Sequence, residues 1–427
     1  MPDPSSSPPR PGGAASAPLA LAFSGGLDTS FCVPFLRETI GAEVHTVTVN
    51  TGGFSADELV AVEARAHALG AASHTTVDAR ERLFERVLQY LIKGNVLRGG
   101  VYPLCVGPER VVQAEALVDE ATRLGARTIA HGSTGAGNDQ VRFDTALRLL
   151  AERHIGAVEI LAPIREHGLT REATTAYLRE RNVPVEARTT AYSINRGLWG
   201  TTIGGRETHT PDGVLPEEAW PDTVSPALAP DTPLRLRIGF DAGIPTSLDG
   251  EALAPVALIE ALNETGARHG VGRGVHVGDT ILGIKGRVAF EAPAALTLIA
   301  AHRELEKLVL TKWQAVQKAA LGDFYGMLVH EGQFFDPVLR DVEAFLDSSQ
   351  ARVTGEVTLE LFKGAFRVLG AASPYSLFDA GVARYGETNA LWNGRDAEGF
   401  ARIHGVPAFL AARAAAAGAV SPARDAA

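Results

Sequence analysis

A short apolar run, Leu19-Ala20-Leu21-Ala22-Phe23, leads without a spacer into Ser24-Gly25-Gly26-Leu27-Asp28-Thr29-Ser30 and then into a helical pattern. This junction constrains the fold more than any other stretch. An apolar run this short, ended by a glycine pair, reads as a buried strand feeding a helix. Gly25 and Gly26 allow the backbone to approach a ligand. Its N–H groups and the Ser24, Thr29 and Ser30 hydroxyls are expected to converge on one spot, and that spot suits phosphate. The same Ser, Asp and Thr also suit a plain helix cap.

The junction opens an alternating pattern. Val44–Val49 reads as a second strand, and residues 56–70 form an amphipathic helix opened by Ser55 with Glu58 three positions on, the spacing of a capping box. Further helices fit 81–94, 109–125 and 143–153, with strands near 127–131 and 157–161. Such a β-α order implies a parallel sheet with helices on both faces and ligands at the carboxyl ends of its strands. The loops after Phe23, Val49 and His131 should therefore share one crevice. The third loop, His131 to Asp144, concentrates glycines, hydroxyls, amides, carboxylates and a guanidinium in one stretch. That is poor core material and a well-equipped pocket, whereas a glycine-rich turn with an Asn-Asp cap would account for the glycines alone.

Composition narrows the partners. The chain has 427 residues, 45% of them hydrophobic, with 40 basic and 50 acidic side chains and a formal charge of −10. It is long enough for two domains, and a basic nucleic-acid surface is not expected. No apolar run approaches the roughly 20 residues that cross a bilayer. Residues 1–18 read as a disordered tail, neither a signal peptide nor a transit sequence. Cys32 and Cys105 supply neither a disulfide framework nor a metal cluster, which fits a cytoplasmic protein.

Beyond residue 183 the organisation changes. Residues 184–233 are proline-rich and loop-like; then strand-like runs at Leu234–Phe240, Thr280–Ile284 and Val353–Leu361 mix with long helices at 294–321 and 338–346. The expected architecture is α/β: a parallel-sheet nucleotide-binding domain over 19–183, an α+β domain over 184–404 and a C-terminal helical tail over 405–427. Pro34 removes an N–H inside the first helix, so a bend is expected there.

Four blocks, Ala22–Ser30, His131–Asp144, Ala191–Gly200 and Ser373–Leu377, occur in an order that resembles the argininosuccinate synthase family, in the adenine-nucleotide α-hydrolase group of ATP pyrophosphatases. The resemblance implies an ATP-pyrophosphatase-type nucleotide-binding domain followed by a synthetase domain whose C-terminal segment wraps neighbouring subunits of a homotetramer. It implies a two-step ligation. The ureido oxygen of citrulline attacks the α-phosphate of MgATP, giving citrullyl-AMP and pyrophosphate, and the amine of aspartate then displaces AMP. ATP with Mg²⁺ is a co-substrate here, with no tightly bound cofactor and no metal residue named.

By that resemblance Ala22, Phe23, Ser24, Gly25, Gly26, Leu27, Asp28, Thr29, Ser30, Val49 and Gly132 hold ATP, with Ser24, Asp28, Thr29 and Ser30 closest to the chemistry. Thr134, Asn138 and Asp139 surround aspartate. Tyr102, Gly107, Asn138, Arg142, Ser193, Thr202, Gly278 and Phe290 line the citrulline site, while Trp199 is expected to pack. For Arg142, an ion pair with Asp139 or Asp144 is the alternative to a fork on the substrate carboxylate.

The pocket departs from the family where Cys105-Val106-Gly107 and Pro108-Glu109-Arg110-Val111 replace the usual residues after Tyr102-Pro103-Leu104. Gly278 stands for a glutamate that holds the citrulline ammonium, and Phe290 for a tyrosine. Asp279 or Glu291 is expected to supply the missing charge; the alternative is an altered or N-acylated citrulline. A non-catalytic nucleotide sensor is a further alternative. A tRNA-thiolating enzyme would need a basic surface, and a glutamine-hydrolysing synthetase a cysteine motif that the chain does not carry.

Overall fold

The structure, a computed structural model, describes residues 17–185, 192–379, 381–382 and 389–419. Most of the expected N-terminal tail, Ala191 and the chain after residue 419 lie outside the described residues.

Five strands, β1 (Pro18–Ala22), β2 (Glu43–Asn50), β3 (Ser73–Asp78), β4 (Thr128–Ala130) and β5 (Glu159–Leu161), form a parallel sheet in the order β3-β2-β1-β4-β5. Successive β1 side chains point to opposite faces. Leu19 and Leu21 pack with Phe31, Val33 and Leu36 of helix α1 (Leu27–Ile40) and with Val62 and Ala66 of helix α2 (Ala56–Ala68). Ala20 packs on the other side with Leu117 and Val118 of helix Glu109–Leu124 and Leu147 and Leu150 of helix Asp139–His154. Burial on both faces is why β1 reads as a continuous apolar run rather than an alternating one.

Several expectations need correction. Strand β3, Ser73-His74-Thr75-Thr76-Val77-Asp78, has no apolar run, because it pairs with β2 alone and stays part-exposed along its length. Pro34 lies buried inside helix α1, beside Cys32 and Val33, and does not end it. The segment 81–94 contains a π-helical turn at Phe84–Leu88 between two short α-helices. The third loop is shorter than expected, since its helix begins at Asp139.

Two antiparallel sheets follow. Strands β6 (Tyr192–Gly197), β7 (Gly200–Gly205), β11 (Arg273–Asp279) and β12 (Lys285–Glu291) form one sheet in the order β11-β12-β7-β6. Strands β8 (Leu234–Asp241), β9 (Ile244–Leu248), β10 (Glu251–Ala252), β13 (Gly355–Phe362) and β14 (Ala365–Ala372) form the other, ordered β10-β9-β8-β13-β14. The run Thr280–Ile284 is the turn between β11 and β12, closed by the Thr280 N–H to the Ile284 carbonyl at 2.8 Å, and not a strand. The helix expected over 294–321 is two helices, Pro293–Val309 and Lys312–His330. Thr311 starts the second by capping the Gln314 N–H while Gln314 reaches back, so a local cap overrides the continuous helical pattern. Trp199 is fully buried at the β6–β7 turn and donates its indole N–H to the Pro103 carbonyl at 2.9 Å.

The chain divides into two compact units at Tyr375/Ser376. The second unit contains helices Gly394–His404 and Val406–Ala419. Among the described residues no helix is long and apolar enough to cross a membrane.

The expected capping box on α2 is present. The Ser55 hydroxyl accepts from the Glu58 N–H at 3.2 Å, and Glu58 accepts from the Ser55 N–H at 2.8 Å. Ser55→Ala should lower unfolding free energy by about 1 kcal/mol, read as an earlier urea midpoint with unchanged slope.

Candidate active site

The sheet order reverses direction between β1 and β4, the switch point at which open α/β sheets bind ligands. A cavity of about 940 Å³ opens there, lined by both loops and by residues of the β6, β7, β11 and β12 sheet.

Gly26 is the N-cap of α1 and no side chain caps the helix, which removes the simple capping reading of the first loop. The Ser30 N–H makes the first helical bond, to the Gly26 carbonyl at 2.9 Å. Among the described residues nothing accepts from the Leu27, Asp28 or Thr29 N–H, so three donors and the positive end of the helix face the cavity. The Ser24 and Thr29 hydroxyls meet at 3.2 Å beside them. Gly25 holds this turn at φ +72°, where a Cβ would be strained and would meet Val62 at 3.0 Å. Ala22, Phe23, Ser24, Gly26, Leu27, Asp28, Thr29, Val49 and Gly132 all line the cavity. Burial raises the Asp28 carboxyl above its ordinary value, partly offset by Arg171.

Ser30 does not join them. Its side chain is buried beneath the loop, donating to the Gly25 carbonyl at 3.2 Å and accepting from Arg65 Nε at 2.7 Å, because it faces inward from the first turn of α1. Its role is to brace the turn.

The second loop is pinned from below. The buried His131 accepts from the Ser133 N–H at Nδ1 and therefore donates from Nε2 to Asp144, 2.9 Å away. Burial opposes ionisation of Asp144, but hydrogen bonds from His131 and Arg165 outweigh it and hold the carboxyl down at about 2. Gly132 passes so close to α1 that a Cβ would stand 2.9 Å from Thr29 Cγ2.

Across the cavity, Asp139 is gripped by two cations, Arg110 Nη2 at 2.9 Å and Arg142 Nη1 at 3.0 Å. Its burial would raise the carboxyl; Arg110 and Arg142 prevail and hold it at about 2. The Arg142–Asp139 ion pair thus exists, and the remaining Arg142 donors engage the His330 carbonyl at 2.9 and 3.0 Å and His330 Nδ1 at 3.2 Å. Asn138 accepts from the Ile281 N–H at 2.9 Å, which ties the loop to the β11–β12 turn. Thr134, Tyr102, Gly107, Ser193, Thr202 and Gly278 line the same cavity.

Phe290 does not. It is 1% exposed and packs beneath Tyr102 at 5.2 Å between ring centroids. Phe290 shares its sheet face with the lining residues Thr202 and Val288, but Tyr102 packs over it, so it supports Tyr102 without reaching a ligand.

Several lining residues escape sequence reading: Thr51, Arg98, Glu109, Arg110, His276 and His330. Glu109 is buried, and one of its oxygens has no partner. Burial pushes its carboxyl up to about 8, against the pull of Arg110 and the Thr51 hydroxyl. Gly197 makes room for it, since a Cβ there would collide with the carboxylate.

A parallel-sheet domain with an anion-binding helix start at its switch point, sharing a cavity with an antiparallel domain, defines a nucleotide-binding α/β protein of the ATP-pyrophosphatase class. Residues 18–184 match the model for the arginosuccinate synthase N-terminal HUP domain, and 192–411 match that for the arginosuccinate synthase C-terminal domain. The chain is 43% identical to argininosuccinate synthase of Xanthomonas campestris over 93% of its length and 99% of the relative. It is 40% identical to that of Pyrococcus furiosus over 92% and 94%, and 39% identical to that of Methanocaldococcus jannaschii over 91% and 96%. The chain belongs to the argininosuccinate synthase family of enzymes.

Because the folded Glu109 carboxyl holds its proton to about pH 8 while an unfolded one releases it near 4.5, the folded state binds the extra proton between those values. Stability from this site therefore falls as pH rises from about 5 to 8. Glu109→Gln should flatten that decline, giving a higher Tm than the parent at pH 8 and a similar one at pH 5. Asp139 behaves oppositely, with stability present above about pH 4 and lost as pH falls toward 2. Asp139→Asn should remove that acid-side loss from the Tm–pH profile and, by taking the shared carboxylate from Arg110 and Arg142, lower Tm at neutral pH.

Proposed function

We propose that the protein is an AMP-forming carbon–nitrogen ligase that joins a citrulline-type ureido acceptor to aspartate at the expense of ATP, giving argininosuccinate from citrulline itself. The observation that carries this reading is the pairing of three unpartnered N–H groups at the start of α1 with the Arg110, Asp139 and Arg142 cluster across one cavity.

In the first step the ureido oxygen attacks the α-phosphorus of ATP, the bond to the bridging oxygen of the β-phosphate breaks, and pyrophosphate leaves. The charge developing on pyrophosphate falls to the Leu27, Asp28 and Thr29 N–H groups and the Ser24 and Thr29 hydroxyls, already oriented by the helix start. Mg²⁺ enters with ATP as part of that substrate. The adenine lies against Val49 and Gly132 at the strand ends.

In the second step the amine of aspartate attacks the activated ureido carbon, AMP departs and the amine gives up a proton. Asp139 has both oxygens engaged by arginines yet keeps a lone pair on each for the aspartate ammonium, with Thr134 and Asn138 beside it. Arg142, Tyr102, Ser193 and Thr202 face the acceptor. A homotetramer in the cytoplasm, with the C-terminal helices at subunit contacts, completes the proposal.

Pyrophosphate release from ATP that requires a ureido acceptor tests the reaction, with argininosuccinate formation requiring aspartate as well. ATP binding without turnover on any ureido acceptor would favour a nucleotide sensor. Thr29→Ala should lower kcat by about 10²-fold, the loss expected for one preorganised donor, with little change in the acceptor KM.

A further inference from the structure

The end of the cavity around Gly278 is lined by nitrogen. A Cβ at Gly278 would stand 2.5 Å from His276 Nε2 and 3.4 Å from Arg98 Nη1, so both nitrogens occupy the space over this glycine. His276 is 7% exposed and its Nε2 has no partner. His330, 6% exposed, closes the same end. Its Nδ1 faces Arg142 Nη2 at 3.2 Å and must accept, because a guanidinium only donates. The proton therefore sits on His330 Nε2, a buried donor with no hydrogen-bond partner. Arg98 spends one nitrogen on the Asp279 carbonyl at 2.7 Å and keeps the other toward Gly278.

The carboxylates expected to balance an ammonium here are turned elsewhere. Glu291 accepts from the N–H groups of Asp222 and Thr223 and from the Thr223 hydroxyl. Asp279 reaches out to Lys285 at 2.6 Å. Asp139 is held between Arg110 and Arg142, and Glu331 comes no nearer than 4.0 Å to His330 Nε2. An ammonium placed here would meet the Arg98 guanidinium and the His330 Nε2–H; a carboxylate would satisfy these donors, and His276 Nε2 as well in the tautomer that carries its proton there.

We propose that this pocket takes a ureido acceptor carrying a second carboxylate where citrulline carries a free α-ammonium, bound by Arg98, His276 and His330. Acylation of the α-nitrogen by a dicarboxylic acid gives such a molecule. The proposal rests on the ligase reading for its reaction, but the anion preference of the pocket is testable by binding alone.

Calorimetry on the full chain loaded with a non-hydrolysable ATP analogue would compare N-succinyl-L-citrulline, N-acetyl-L-citrulline and L-citrulline, with pyrophosphate release from ATP and the same acceptors measured in parallel. The expected result is at least tenfold tighter binding of the succinyl compound than of citrulline, with the acetyl compound, which lacks the second carboxylate, between them. Arg98→Gln should cut that preference at least fivefold. Citrulline binding as tightly as the succinyl compound, or more tightly, overturns the proposal, and the wild-type comparison decides this even if the variant fails to fold. A succinyl preference without pyrophosphate release from any acceptor would sustain the pocket assignment while refuting the ligase reading.

Discussion

The contact on which the site depends is the buried chain of charges from Arg110 through Asp139 and Arg142 to the carbonyl of His330. It links the first turn of helix Glu109–Leu124, the first turn of helix Asp139–His154 and the last residue of helix Lys312–His330, drawn from both halves of the first unit. Two guanidinium groups around one carboxylate that lines the cavity fix that carboxylate's orientation toward a ligand. It fixes where Asp139 can meet a ligand and how far the antiparallel domain stands from the sheet. The Asn138–Ile281 hydrogen bond repeats the tie one residue away.

The nucleotide side is organised by backbone. Unpaired N–H groups at the start of α1 and the close pass of Gly132 over Thr29 make a cavity wall that depends on geometry more than on side-chain charge. The acceptor side is organised by side chains, and there the chain has its own character. Glycine at 278 and two unpartnered imidazole nitrogens, of His276 and His330, concentrate at that end. These features belong to a chain that shares the family over nine-tenths of its length.

What was legible followed from local physics. The run Leu19–Phe23 with Gly25 and Gly26 announced the strand, the turn and the anion site, because burial on both faces and a left-handed φ leave marks in residue type. Strand β3 left none, as an edge strand gains most of its stability from the hydrogen bonds of β2. The Thr280–Ile284 run resembled a strand, yet pairing between Asp279 and Lys285 turns it into a hairpin loop. Ser30 and Phe290 sat in the right motifs yet do not line the cavity: Ser30 faces inward from the first turn of α1, and Phe290, on the same sheet face as Val288 and Thr202, lies beneath Tyr102.

The sequence by itself determined the parallel sheet, the glycine turn into α1 and the family, because these rest on contiguous residues whose spacing carries the physics. Only the tertiary structure decided what the acceptor end of the cavity presents. Arg98, Arg142, His276 and His330 are scattered along the chain and meet only when the β11–β12 hairpin and the helix ending at His330 close on the sheet domain. Their charge is a property of that meeting, since burial and mutual repulsion, which push His330 down to about 3, act only between groups brought together.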